Sequence, residues 1–146
     1  MNPMSVKQIN VFLENESGRL AEVTAALKKN KIDIRALYIA DTTEYGMLRM
    51  LVDHPDEAQI ILQSLGFTVS QTSVIAVAIP DTPGTLDKVL EILSSNDISL
   101  EYLYAFVGRA SADAVVVIRV DDNKKALDEF EKAGVKVLDD KEVYGI

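Results

Sequence analysis

The chain has 146 residues, 48% of them hydrophobic and 26% charged, a composition that supports a packed core and excludes extended disorder. With no cysteine and one histidine it can form no disulfide, thiolate metal site, cysteine nucleophile or His-rich metal centre. Lys and Arg number 15 against 23 Asp and Glu, a net charge of −8, and such a surface repels phosphate backbones, so nucleic acid is not an expected partner.

In chain order, residues 8–14 (QINVFLE) alternate, with Ile9, Val11 and Leu13 on one face, which predicts a half-buried strand. Gly18–Asn30 reads as a helix. Leu20, Val23 and Leu27 recur at helical spacing, Glu22, Lys28 and Lys29 face water, and Asn30 is placed to act as a left-handed cap. Ile32–Asp41 is a second strand. After the polar turn TTEYG, a third strand at 46–53 puts Leu48, Met50 and Val52 on one face. His54-Pro55 opens a second helix, proline suiting its first position, with Ala58, Ile61, Leu62 and Leu65 as the buried stripe and Gly66 as the stop. Phe67–Thr72 completes the order βαββαβ.

The rest of the chain repeats the first part. With Gly18 placed on Gly84, Ile9 falls on Ile75, Val11 on Val77, Leu20 on Leu86, Val23 on Val89, Leu27 on Leu93, Asn30 on Asn96, Ile32 on Ile98, Leu37 on Leu103 and Tyr38 on Tyr104. One loop adjustment then aligns Val52, Asp53, Ala58, Gly66 and Val69 with Val120, Asp121, Ala126, Gly134 and Val137. Two homologous domains follow, 1–72 and 73–146. The second has strands at 74–80, 98–107, 113–121 and 135–143 and helices at 84–96 and 124–133. Thr82 is read as a cap residue followed by Pro83, and Gly134 as the second stop.

This order is the split-βαβ, ferredoxin-like α+β arrangement: a four-stranded antiparallel sheet with two helices on one face. A unit of this size is marginal alone. Its free sheet face carries Val74, Ala76 and Ala78, so domain packing or a homodimer or higher homo-oligomer is expected to cover it. No stretch reaches the roughly 18 apolar residues that span a bilayer, and MNPMSVKQINVF has no signal-peptide apolar segment. The expectation is a cytoplasmic protein with no membrane partner.

The segments INVFLENESGRLAEVTAALKKNKIDIRALYI and IAVAIPDTPGTLDKVLEILSSNDISLEYLYA resemble the ACT domain, a small regulatory amino-acid-binding module. Its signature is a strand, Asn/Asp-x-Pro-Gly-x-Leu, a helix, and an Asn/Asp-Ile-type strand start. The corresponding residues are Asn15-Glu16-Ser17-Gly18-Arg19-Leu20 and Asp81-Thr82-Pro83-Gly84-Thr85-Leu86, with strand starts Ile32-Asp33-Ile34 and Ile98-Ser99-Leu100. Copy one departs at Ser17, where proline is usual, and copy two at Ser99, where copy one has Asp33. The resemblance implies a regulatory protein that binds a free amino acid between two domains. It implies no cofactor and no catalytic activity.

The loop residues have a physical reason to hold such a ligand. Glycine lets a ligand approach the backbone, and the first helical N–H groups and the helix dipole favour an α-carboxylate. The Asn15 or Asp81 oxygen can accept from an α-ammonium. Loop and strand start lie at opposite ends of one domain. The expected pairing is therefore Asn15, Glu16, Ser17 and Gly18 with Ser99 and Leu100, and reciprocally Asp81, Thr82, Pro83 and Gly84 with Asp33 and Ile34. The second site holds two carboxylates; the first offers an amide and a hydroxyl. The output is a change in packing or oligomerisation read by a regulated partner protein. The alternative, of another class, is a structural or protein-interaction module that has lost ligand binding. His54 reads as a cap or solvated loop residue, and the pairs Asp121-Asp122 and Asp139-Asp140 as solvated surface. Tyr38 and Tyr104 read as core or interface packing, and Met47 and Met50 as core and sheet-face fillers.

Overall fold

The computed structural model describes residues 5–14, 16–41, 45–107 and 113–145. Its backbone divides into two compact units, Lys7–Thr72 and Ser73–Ile146 with Met1–Val6.

The first unit is built from β1 (Val6–Glu14), α1 (Arg19–Lys29), β2 (Ile34–Asp41), β3 (Tyr45–Val52), α2 (Pro55–Ser64) and the opening residues of β4 (Val69–Pro80). Its strand order is β2-β3-β1-β4, with β3 antiparallel to both neighbours in the registers Ile9↔Met50 and Leu37↔Met50. The second uses the rest of β4, then α3 (Thr85–Ser95), β5 (Leu100–Val107), β6 (Asp113–Val120), α4 (Asn123–Lys132), β7 (Lys136–Leu138) and α5 (Asp140–Tyr144), in the order β5-β6-β4-β7. Each unit is the expected ferredoxin-like α+β arrangement.

The alternation in β1 and the stripes of α1 and α2 meet in one core: Ile9, Val11, Leu13, Val23, Leu27, Leu48, Met50, Val52, Ala58 and Leu62 are all buried in one cluster. The repeat places Ile75, Val77, Ile79, Val89, Leu93, Val116, Ile118, Val120, Ala126 and Phe130 in the second. Identical burial at matched positions follows from identical periodicity on identical elements.

Several expectations need correction. Residues 135–143 do not form one strand. β7 stops at Leu138 because Asp139 caps α5, its Oδ1 accepting from Glu142 N at 2.7 Å while Glu142 Oε1 accepts from Asp139 N at 3.2 Å. Phe67–Thr72 and 74–80 are not separate strands: β4 runs unbroken from Val69 to Pro80, and Phe67 and Thr68 precede it. Asn30 is not left-handed. The positive φ falls one residue later, at Lys31 (56°) and at its counterpart Asp97 (54°), while the side chains of Asn30 and Asn96 donate back to Ala26 O and Ile92 O. Leu65 is exposed, not part of the buried stripe, and Leu86 is exposed on α3. Asp121-Asp122 and Asp139-Asp140 are not merely solvated. Asp122 caps α4 by accepting from Lys125 N, and Asp140 Oδ1 accepts from Lys141 N.

At the start of α2, Asp56 accepts from Lys7 Nζ at 3.0 Å and from Gln71 Nε2 at 3.0 Å. The Gln71 hydrogen bond first, and then the Lys7 ammonium, hold its carboxyl below the usual value. A lowered carboxyl stabilises the fold above its unfolded pKa, and that contribution fades as pH falls through the folded value. Asp56 is 69% exposed, so the effect is small. Asp56→Asn is expected to cost no more than about 0.5 kcal/mol at neutral pH. Urea titrations at pH 7 and pH 3 check this: the gap between wild type and variant should shrink at the lower pH.

Candidate functional site

The described residues of the two glycine loops make the same backbone hydrogen bonds. In each a short turn follows the strand, with Glu16 N donating to Glu14 O at 2.7 Å and Thr82 N to Pro80 O at 2.9 Å. A second turn leads into the helix, Arg19 N to Glu16 O and Thr85 N to Thr82 O, both at 3.4 Å. Gly18 and Gly84 then sit at the N-cap with φ of 87° and 90°. The N-cap residues of α1, α2 and α3 make no side-chain cap bond, whereas α4 and α5 are capped by Asp122 and Asp139. Thr82 is therefore not the cap residue that its place before Pro83 suggests; the helix starts three residues later, at Thr85. Among the described residues no side chain accepts from the first-turn N–H groups of α1 and α3, a geometry suited to a carboxylate.

Glycine is needed here for its backbone angle. A Cβ at Gly18 or Gly84 would meet nothing within 4 Å, but an L-residue at this φ is strained. Gly84→Ala is expected to destabilise by about 1 kcal/mol and Gly84→Asn by less, since asparagine tolerates the left-handed region. Equal losses in chemical denaturation would contradict this account.

The flanks of the loops differ. Arg19 lies over the Phe67 ring at 4.3 Å and pairs with Glu22 at 2.7 Å, setting a fixed cation beside Gly18. At the same place in copy two, Thr85 Oγ1 donates to Pro80 O or Thr82 O, at 2.7 and 2.9 Å, with no charge. Glu16, Ser17, Gly18, Asp81, Thr82, Pro83 and Gly84 are exposed. Asn15 lies outside the described residues.

The strand starts are also a matched pair, by a device the sequence reading missed. Asp33 N donates to Asp53 Oδ1 at 2.9 Å while Asp53 N donates to Asp33 O at 3.1 Å. Ser99 N and Asp121 repeat this at 3.1 and 3.1 Å. The signal was available, since Asp53 and Asp121 are aligned in the repeat. Both starts carry a β-bulge, between Ile34 and Ala36 and between Leu100 and Tyr102. The bulged residues have opposite charge. Arg35 pairs with Asp33 at 3.1 Å and keeps a buried Nε without a hydrogen-bond partner; Glu101 pairs with Arg119 at 2.9 Å. The Asp33 and Ser99 side chains are exposed, while their backbone N–H groups are already occupied.

Within each unit the loop and the strand start do not come together. Glu14, which leads into the first loop, pairs with Tyr45 at the start of β3, and Ile34 pairs with Val52 at its end. The eight residues of β3 separate them by roughly 25 Å along the strand. His54 precedes α2 without a side-chain cap bond, its Nε2 3.7 Å from Asp53 Oδ2. Tyr38 and Tyr104 are half-buried opposite Arg49 and Val117. Among the described residues no group of three or more His, Asp or Glu side chains could hold a metal ion, and no helix is long and apolar enough to cross a membrane.

The chain is 38% identical to protein BT0572 from Bacteroides thetaiotaomicron, with 98% of each chain covered and a TM-score of 0.93. It shares its fold with the regulatory subunit of aspartate kinase from Thermus thermophilus, in ligand-free form, at 17% identity, 89% and 93% coverage and a TM-score of 0.62. The corresponding subunit from Thermus flavus gives 17% identity, 87% and 91% coverage and 0.59. No protein with a curated description matches. ACT domains are regulatory amino-acid-binding domains. The family described as ACT domain pair matches residues 4–146, which contain both glycine loops and both strand starts, and the chain belongs to that family.

Proposed function

We propose that this protein is a regulator that senses a free amino acid, with the ligand's carboxylate on the bare tip of α1 or α3. The observation that carries the reading is the duplicated loop: a left-handed glycine at the N-cap, followed by a helix with no side-chain cap, in both units. Uncapped N–H groups and the helix dipole favour an anion. An amino acid also needs an acceptor for its ammonium, and Asp81 in one loop and Asn15 in the other are of the right chemistry. Loop and strand start are too far apart in one unit to grip one small zwitterion. A ligand held by Glu16, Ser17 and Gly18 on one side therefore takes Ser99 and Leu100 from a different unit, and one at Thr82, Pro83 and Gly84 takes Asp33 and Ile34. The Arg19 guanidinium makes the first loop the better host for an acidic side chain, and Asp33 with Asp81 makes the second better for a basic one. The output is a ligand-dependent change in packing or association.

Isothermal titration of the full chain with each of the twenty amino acids tests this. One or a few should bind, and Asp81→Ala or Gly84→Val should weaken binding at the second site by about tenfold or more. No heat with any of the twenty would remove the sensor reading.

A further inference from the structure

The outer helical face of the first unit is unlike its counterpart. Between α1 and α2 runs a groove of about 620 Å³ whose walls include Glu22, Ala25, Ala26, Lys29, Ile61 and Leu65. Leu65 is 55% exposed, and Ile60 on the same helix is 67% exposed. In the repeat, Ile60, Ile61 and Leu65 are replaced by Asp128, Glu129 and Ala133, and Ala25 by Glu91. The second unit builds the same fold with charged groups at three of these four places, so the fold itself does not require apolar ones there.

We propose that this groove is a self-association surface, in which α1 of one copy packs antiparallel on α1 of a second copy about a two-fold axis at Ala25 and Ala26. The charge pattern names the occupant. Glu22 and Lys29 are equidistant from the midpoint of Ala25 and Ala26, on the same helix face. An antiparallel two-fold therefore sets each Glu22 against Lys29 of the other copy, forming two pairs at once. Among the described residues Lys29 has no ion-pair partner, and the Glu22 side chain is 56% exposed while its Oε2 is bonded to Arg19. Small Ala25 and Ala26 side chains allow the helix axes to approach to about 8 Å. Leu65 and Ile61 of each copy then cover the other's apolar wall. Residues 1–72 carry 7 basic and 9 acidic side chains and residues 73–146 carry 8 and 14, so the first half is the less self-repelling surface to meet its own copy.

Sedimentation equilibrium of the full chain, without amino acid, tests the proposal independently of ligand sensing. Wild type should form a dimer, and Ala25→Glu or Leu65→Lys should weaken it about tenfold or more while leaving the circular dichroism unchanged. Lys29→Glu alone and Glu22→Lys alone should weaken it similarly, because each sets two like charges together. An equimolar mixture of those two variants should re-form a dimer within about threefold of wild-type affinity, since both pairs are restored. Asp128→Lys, at the matched place in the second unit, should have no effect. A monomeric wild type, a dimer indifferent to Ala25→Glu and Leu65→Lys, or a mixture that fails to associate overturns the proposal.

Discussion

Phe130→Ala is expected to lower the stability of the second unit by about 3–5 kcal/mol. Phe130 is a fully buried side chain, placed by α4 among Ile75, Val77, Val89, Leu93 and Ile118. Its position in the first unit is held by the smaller Leu62, so the second core is built around the ring. Truncation removes the transfer free energy of the ring and leaves a cavity that strands β4 and β6 and helix α3 cannot close without breaking their own register. Phe130 O also accepts from Val135 N at 2.9 Å, a bond that alanine retains, so the loss reports packing alone. Urea denaturation should show a lower midpoint with little change in slope. A loss under about 1 kcal/mol would mean that the site collapses freely, contrary to the packing described.

Asn10→Ala is the second large effect, at about 2–3 kcal/mol, and its cause is polar. Asn10 Oδ1 accepts from Gln8 Nε2 at 2.8 Å and from Arg49 Nη1 at 3.0 Å, and Asn10 Nδ2 donates to Thr72 Oγ1 at 2.7 Å and Ser70 Oγ at 3.2 Å. Gln8 is fully buried and Asn10 nearly so. Alanine takes a hydrogen-bond acceptor from a buried amide and from a half-buried guanidinium, and leaves the Thr72 and Ser70 hydroxyls without their amide donor. Asn10→Asp keeps that acceptor, and the Ser70 and Thr72 hydroxyls can turn to donate, so it should retain more stability than alanine at neutral pH. Thermal melts of the two variants check the order; alanine matching or exceeding aspartate would refute the network's role. The matched residues in the second unit are Val74 for Gln8, Ala76 for Asn10 and Val117 for Arg49, all fully buried. One sheet face has thus been built twice, once with a hydrogen-bonded cluster and once with hydrocarbon. Both satisfy the rule that buried groups be partnered or apolar.

That comparison also shows what a linear reading can reach. The alternation of Ile9, Val11 and Leu13, the spacing of Val23 and Leu27, and the glycines after α2 and α4 are local statements about where side chains point and where a backbone turns. A strand or helix fixes those directions without reference to the rest of the chain. The repeat was legible for the same reason, since it preserves order and spacing. Other features depend on groups that only folding brings together. Asp33 and Asp53 are twenty residues apart and bond because β2 and β3 are antiparallel neighbours. Asp122 and Asp139 read as surface charge until a helix begins behind each and its N–H groups need an acceptor.

The sequence by itself determined the βαββαβ order, the core positions Ile9, Val11, Val23 and Leu27 with their counterparts Ile75, Val77, Val89 and Leu93, and the glycines that precede α1 and α3, because periodicity and turn chemistry are short-range. Only the tertiary structure decided that the strand-start N–H groups are held by Asp53 and Asp121, that Arg35 and Glu101 sit on matched bulges, and that Leu65 lies in the open beside a groove. Those outcomes rest on hydrogen-bond pairing and exposure between distant segments, which no local pattern encodes.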